Sequence, residues 1–171
     1  MKNRDDHYWM GKALAQAGRA ERLGEVPIGA VLVRDGKVIG RGCNRRERDN
    51  DPCAHAELLA IRQAARRLDA WRLTGTTLYV TLEPCPMCIG AAILARIERV
   101  VFGCFDPKAG AVGSLYNLAA DRRFNHRIEV TAGVREAECS AMLSDFFREL
   151  RRRKKAERGG GAEEQLNFAA E

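Results

Sequence analysis

Two short segments carry residue types that can do chemistry together: His55-Ala56-Glu57 and Pro84-Cys85-Pro86-Met87-Cys88. Cys85 and Cys88 are spaced i, i+3, so on a helix their sulfurs face the same way. A helix N-terminus carries partial positive charge and favours thiolate over thiol. Two thiolates and a neutral imidazole form a borderline-soft, tetrahedral set that suits zinc. Three protein ligands leave one position open, as catalytic rather than structural zinc sites do, and zinc lowers the pKa of a water there to about 7. Glu57, two residues from His55, does not share the ligand's direction but stays close enough to take that water's proton and hand it to a leaving amine. Each half alone has plainer readings. A C-x-x-C pair after a strand also fits a thiol redox protein, and a single histidine is commonly a packed or surface residue. A nucleic-acid module with structural zinc would need a fourth ligand and would leave Glu57 idle. The two halves together point to the metal. Cys43, Cys53, Cys104 and Cys139 read as small buried hydrophobes, with Cys53 close enough to His55 in sequence to be a stray ligand.

The 26 residues between Glu57 and Pro84 have room for one helix and one strand, and the rest of the chain alternates in the same way. Asp5 or Asp6 can cap a helix whose apolar face is Trp9, Ala13, Ala17 and Ala20, ended by Gly24. Val26 to Val33 reads as a buried strand. Asp35-Gly36 is a strong hairpin signal, so Lys37 to Cys43 is expected to return antiparallel. After a polar loop with Arg45, Arg46 and Arg48, Asp51-Pro52 is expected to open a helix burying Leu58, Leu59, Ile61, Ala65 and Leu68. Thr76 to Leu82 is a strand, Cys85 to Ala95 a helix of small residues, Arg99 to Phe105 a strand, and Asp106 to Gly113 a loop. A short helix over Leu115 to Ala120, a strand over Arg127 to Ala132 and a final helix follow. In the last helix Cys139, Met142, Leu143, Phe146, Phe147 and Leu150 keep helical spacing, and one of the two phenylalanines is expected in the core. Gly159-Gly160-Gly161 is expected to break any helix. The order predicts an α/β fold, a three-layer α/β/α domain on a mixed five-stranded sheet. Residues 1–150 form the domain, and 151–171 form a basic C-terminal extension, partly disordered.

With 171 residues, 46% hydrophobic and 30% charged, the chain fits one globular domain and excludes a disordered or collagenous class. No stretch approaches the roughly 20 apolar residues of a membrane span. The charged start leads into no apolar signal, so the reading is cytoplasmic, with no membrane partner. The net charge of +6 is uneven: residues 148–158 carry seven Lys/Arg against two Glu. That run is either a solvated helix end or an electrostatic track for nucleic acid.

The pattern H-x-E…P-C-x-x-C is the signature of zinc nucleobase deaminases, and the chain resembles them beyond it. The segments Val26-Pro27-Ile28-Gly29-Ala30-Val31-Leu32-Val33, Asn44-Arg45, Thr81-Leu82-Glu83-Pro84-Cys85, Val101-Phe102-Gly103, Gly113-Ser114-Leu115, Asn125-His126-Arg127 and Leu143-Ser144-Asp145-Phe146-Phe147-Arg148 are similar to those of the bacterial tRNA-specific adenosine deaminases, from about residue 7 to residue 150. The resemblance implies a cytidine-deaminase-like fold. It implies hydrolytic deamination of the wobble adenosine in the anticodon stem-loop of an arginine tRNA, one Zn2+ per subunit, and a homodimer. It assigns zinc to His55, Cys85 and Cys88 and proton transfer to Glu57. Asn44 would hydrogen-bond the flipped base, the Ala56 amide and the Glu83 carbonyl would contact the base and its amine, and Val26 would line the pocket. Asp106 would touch the preceding ribose, Phe147 would pack near the anticodon loop, and Arg45, Arg46, Arg148, Arg151 and Arg152 would meet RNA. Departures from the family pattern are Cys53 in place of threonine, and Phe105 and Pro107 on either side of Asp106. A free-base deaminase such as guanine deaminase shares the Pro84-to-Cys88 run and is the alternative.

Overall fold

A computed structural model describes residues 5–167, with side chains through residue 157. The elements are α1 (Asp6–Arg22), β1 (Gly29–Arg34), β2 (Lys37–Cys43), α2 (Ala56–Leu68), β3 (Thr77–Leu82), α3 (Pro86–Leu94), β4 (Arg99–Cys104), β5 (Glu129–Thr131) and α4 (Glu136–Asn167). The Asp5 carboxylate caps α1, accepting the Tyr8 N–H at 2.9 Å. Asp35 and Gly36 both sit at positive φ, 50° and 66°, as a two-residue turn matched to strand twist requires. That turn pairs β1 with β2.

The sheet order is β2-β1-β3-β4-β5. β1 runs antiparallel to β2 and to β3, whereas β3, β4 and β5 are mutually parallel. The sheet is therefore mixed, and the helix-linked pair β3-α3-β4 is parallel as expected. Alternating strand residues feed two cores. Leu32, Leu78, Val80, Val100 and Phe102 point to one face and pack with α2 and α3. Val31, Val33, Tyr79 and Val101 point to the other and pack with α1 and the start of α4. Each large side chain fully buried here contributes about 1.5–3 kcal/mol.

Two details fix the helices on the sheet. Gly40 and Gly42 of β2 face α2, where a Cβ would collide with the carbonyl oxygens of Ala60 and Ala56. α2 therefore lies directly on strand backbone. On the opposite face Asp6, in the first turn of α1, accepts from Tyr79 Oη (2.9 Å) and from Arg99 through both oxygens (2.9 and 2.7 Å). This ties α1 to β3 and β4.

The structure departs from the sequence reading at several points. β1 begins at Gly29, because Val26 to Ile28 form an irregular approach. α2 begins at Ala56 rather than at Pro52, because the Asp51 carboxylate accepts the Cys53 N–H at 2.8 Å and makes a turn, not a helix cap. Its buried face includes Ala60 and Ala64, with Leu59, Ala65 and Leu68 only half-buried. No helix forms over Leu115 to Ala120, where an isolated bridge joins Val112 to Asn117. Neither Phe146 nor Phe147 enters the core: the first is half-buried and the second exposed. α4 runs on through Gly159-Gly160-Gly161, which cost helix stability but supply the backbone hydrogen bonds that continuation needs. The expected disorder of the tail falls in part on residues 168–171, outside the described residues.

Candidate functional site

α2 and α3 both begin beside the C-terminal end of β3, and the residues of interest stand at those two starts. His55 is the N-cap residue of α2 and Cys85 that of α3, with Pro86 in the first turn of α3. His55 Nδ1 lies 3.7 Å from Cys85 Sγ and 3.6 Å from Cys88 Sγ. A tetrahedral zinc with ordinary bond lengths separates nitrogen from sulfur by about 3.5 Å, so the three atoms fit that ion without rearrangement. Among the described residues no other His, Cys, Asp or Glu joins this group. Cys53 thus stays outside it.

The electrostatics single out Cys85 as the thiolate of the group, with the proton held by its neighbours. The Cys85 thiol is held down to about 4, first by its hydrogen bond with Cys88 and then by His55, against the cost of burial. Cys88 is pushed up by the same bond and by its own burial. His55 is raised, chiefly by its hydrogen bond to Cys85. Glu57 is 4% exposed. Burial pushes its carboxyl up to about 7, and Cys88 is its hydrogen-bond neighbour. A carboxyl group close to neutrality beside a three-ligand cluster can both accept and release a proton.

Two loops flank this centre. The first follows β2. Asn44 is 6% exposed, and its Nδ2 donates to Glu25 Oε2 at 3.3 Å. Glu25 Oε1 accepts the Arg48 N–H at 2.7 Å. Val26, next in sequence to Glu25, is half-buried. Arg45 pairs with Asp49 and Arg46 with Glu47 on the exposed side of this loop. The second loop follows β4. Asp106 Oδ1 accepts the N–H groups of Lys108 and Ala109, so this carboxylate shapes its own turn. Phe105 stacks edge-on against Phe102 at 5.1 Å.

The remaining expected contacts lie further along the chain. Phe147 is exposed and stacks edge-on with Phe146 at 5.5 Å. Arg148 pairs with Asp145 and Arg152 with Glu149, along the helix, while Arg151 is exposed. The side chains of Glu25 and Glu83 were not anticipated by sequence reasoning. Both are buried acids, 1% and 2% exposed. A signal existed for each: Glu25 is a charge at the mouth of an apolar run, and Glu83 sits between a strand and a ligand segment. Burial pushes the Glu83 carboxyl up, but bonds from Ser114, Asp106 and Val112 outweigh it and the net shift is down.

Residues 3–104 match the cytidine and deoxycytidylate deaminase zinc-binding region. Over 153 residues the chain is 58% identical to the tRNA-specific adenosine deaminase of Bacillus subtilis, covering 90% of this chain and 95% of that one. The chain belongs to the tRNA-specific adenosine deaminase family. Membership makes it a zinc-binding deaminase and a hydrolase. A structure from studies of A-to-I editing by tRNA:A34 deaminases at the wobble position of transfer RNA superposes with a TM-score of 0.77 at 46% identity. It covers 80% of this chain and 99% of that one. The guanine deaminase of Bacillus subtilis superposes less fully, with a TM-score of 0.58 at 38% identity over 64% of this chain and 71% of that one.

Proposed function

We propose that this chain converts the wobble adenosine of an arginine tRNA to inosine, working as a cytoplasmic homodimer with one zinc per subunit. The observation that carries the reading is the cluster of His55, Cys85 and Cys88 with Glu57 buried beside it. Zinc, when bound there, makes water acidic enough to be a nucleophile at neutral pH. Glu57 would take one proton from that water and pass it to N1 as the oxygen bonds to C6. It would then carry the second from that oxygen to the amine nitrogen, so that the C6–N bond breaks, ammonia leaves and the oxygen stays as the C6 carbonyl.

Asn44 both donates and accepts, which suits a purine edge. In this reading it holds the flipped base, helped by the Ala56 N–H and the Glu83 carbonyl, with Val26 against the ring. Asp106 meets the preceding ribose, and Phe147 packs near the loop, since splayed RNA bases are read by edges and by stacking. Arg45, Arg46, Arg148, Arg151 and Arg152 face phosphates. The exposed Leu94, Leu115 and Tyr116 offer apolar surface that a second copy would cover. Six free cysteines suit a reducing compartment. Among the described residues, no helix is long and apolar enough to cross a membrane.

The test is incubation with an arginine tRNA transcript bearing adenosine at the wobble position, read by inosine and ammonia formation. Stoichiometric inosine is expected. No inosine from tRNA, together with ammonia from free guanine, would establish the free-base alternative, which the likeness to guanine deaminase favours.

A further inference from the structure

We propose that the Glu83 carboxylate is a positioning residue: it pins the loop 105–114 to the turn that carries Cys85, and so sets where that loop meets substrate. The proposal rests on the deaminase reading of the same site. One buried carboxylate collects donors from three points of the loop. Oε1 accepts the N–H groups of Val112 at 2.9 Å and Ser114 at 3.0 Å. Oε2 accepts the Asp106 N–H at 3.0 Å and also the Ser114 hydroxyl. Gly110 packs over the same oxygen so closely that a Cβ would collide with it. A second tie lies next to the metal ligand, where the Ala111 N–H donates to the Pro84 carbonyl at 2.9 Å.

Every partner of this side chain is a donor, three of them backbone N–H groups. The site therefore demands a group that only accepts, as an ionised carboxylate does and an amide does not. The loop has no strand to satisfy those amides, and a buried N–H without a partner is costly. Glu83 is itself two residues before Cys85, so the loop and the ligand are braced by the same short turn. Asp106, given the ribose contact above, is one of the two loop residues bonded to Oε2. An error of about 1 Å in such a contact can cost about a hundredfold in rate.

Glu83→Gln tests this sharply, because its two ends are not equivalent. The Gln amide nitrogen fits only on the Oε2 side, where the Ser114 hydroxyl can turn to accept. There it opposes the Asp106 N–H, while the retained oxygen still serves Val112 and Ser114. Hydrogen exchange on the zinc-loaded enzyme is expected to lose protection at Asp106 and keep it at Val112 and Ser114, and Glu83→Ala loses all three. At a temperature far below its Tm, and with zinc content equal to wild type, Glu83→Gln is expected to form inosine about tenfold or more slowly in a single turnover. A merely structural role would lower Tm and leave the rate of the folded, zinc-loaded protein unchanged. Wild-type rate in Glu83→Gln at full zinc, or unchanged exchange at Asp106, overturns the proposal. If the wild type itself forms no inosine on tRNA, the function is overturned, and exchange at Asp106 still decides the brace by itself.

Discussion

The amide nitrogen of Asn44 donates to the buried carboxylate of Glu25 at 3.3 Å, while the other oxygen of Glu25 holds the Arg48 N–H at 2.7 Å. One acid thus orients the side chain given to the base and ties down the loop that follows it. The Glu25 oxygen, as acceptor, fixes the Asn44 amide with its nitrogen toward Glu25. Glu25→Ala is expected to lower kcat/KM for a wobble-adenosine stem-loop about tenfold, the equivalent of one charge-assisted hydrogen bond, with zinc content unchanged. Steady-state inosine assays beside metal analysis check this. Equal kcat/KM would remove Glu25 from the account of Asn44.

Glu57 makes no metal bond in the proposed arrangement, so its removal separates proton transfer from ligation. Glu57→Ala is expected to retain zinc and to lose about 10² to 10⁴ in turnover. Quantitative metal analysis and a single-turnover assay on one preparation give both readouts, and loss of metal in this variant would make Glu57 a ligand.

Cys88 is fully buried and completes the cluster with His55 and Cys85 that is proposed to hold zinc. Cys88→Ala is expected to bind less than about a tenth of the wild-type zinc. Because bound metal stabilises by mass action, a chelator should lower the Tm of the wild type and leave that of Cys88→Ala unmoved. Normal zinc in the variant would refute the ligand set.

The Asp6–Arg99 tie predicts a pH dependence of stability. The hydrogen bonds from Arg99 lower the Asp6 pKa from its ordinary 3.8, against a smaller opposing effect of burial. A folded-state pKa below the unfolded value means that the tie contributes fully above that value and is lost as pH falls through the lowered one. At pH 7, Asp6→Asn is expected to cost about 1 kcal/mol in urea unfolding. The gap between variant and wild type should close as pH drops below 3.8. A gap that is constant down to acid would mean that the ion pair contributes nothing beyond its neutral hydrogen bonds.

The basic end of α4 yields a salt-dependence test. Arg152 and Arg153 are already paired with Glu149, so their share in neutralising any phosphate is reduced. Replacing Arg151-Arg152-Arg153-Lys154-Lys155 with Gln is expected to weaken tRNA binding. It should also flatten log K against log salt by about 0.7–0.9 for each phosphate that the variant leaves without a cationic partner. An unchanged slope would make the run a solvated helix end.

What could be read from sequence was local. Asp35-Gly36 announced its hairpin because the turn needs those two residues, and His55-Ala56-Glu57 with Cys85 and Cys88 announced their meeting because both segments stand at helix starts. The buried acids were silent because their partners lie elsewhere: Glu25 bonds across 19 and 23 positions, and Glu83 across 23, 29 and 31. Asp51-Pro52 misled because an aspartate bonding two residues ahead imitates a helix cap. Phe146 and Phe147 misled because the apolar period of α4 continues past the part of the helix that rests on the sheet.

Gly42 lies against the first carbonyl of α2, and Gly40 against one a turn later. The altitude of His55 and Glu57 is consequently set by main chain touching main chain, with no side chain acting as a spacer. Gradual drift of the hydrophobic interior can therefore proceed without retuning the reaction centre, whereas a single methyl group at either glycine would jack the whole helix upward and spoil the alignment at once.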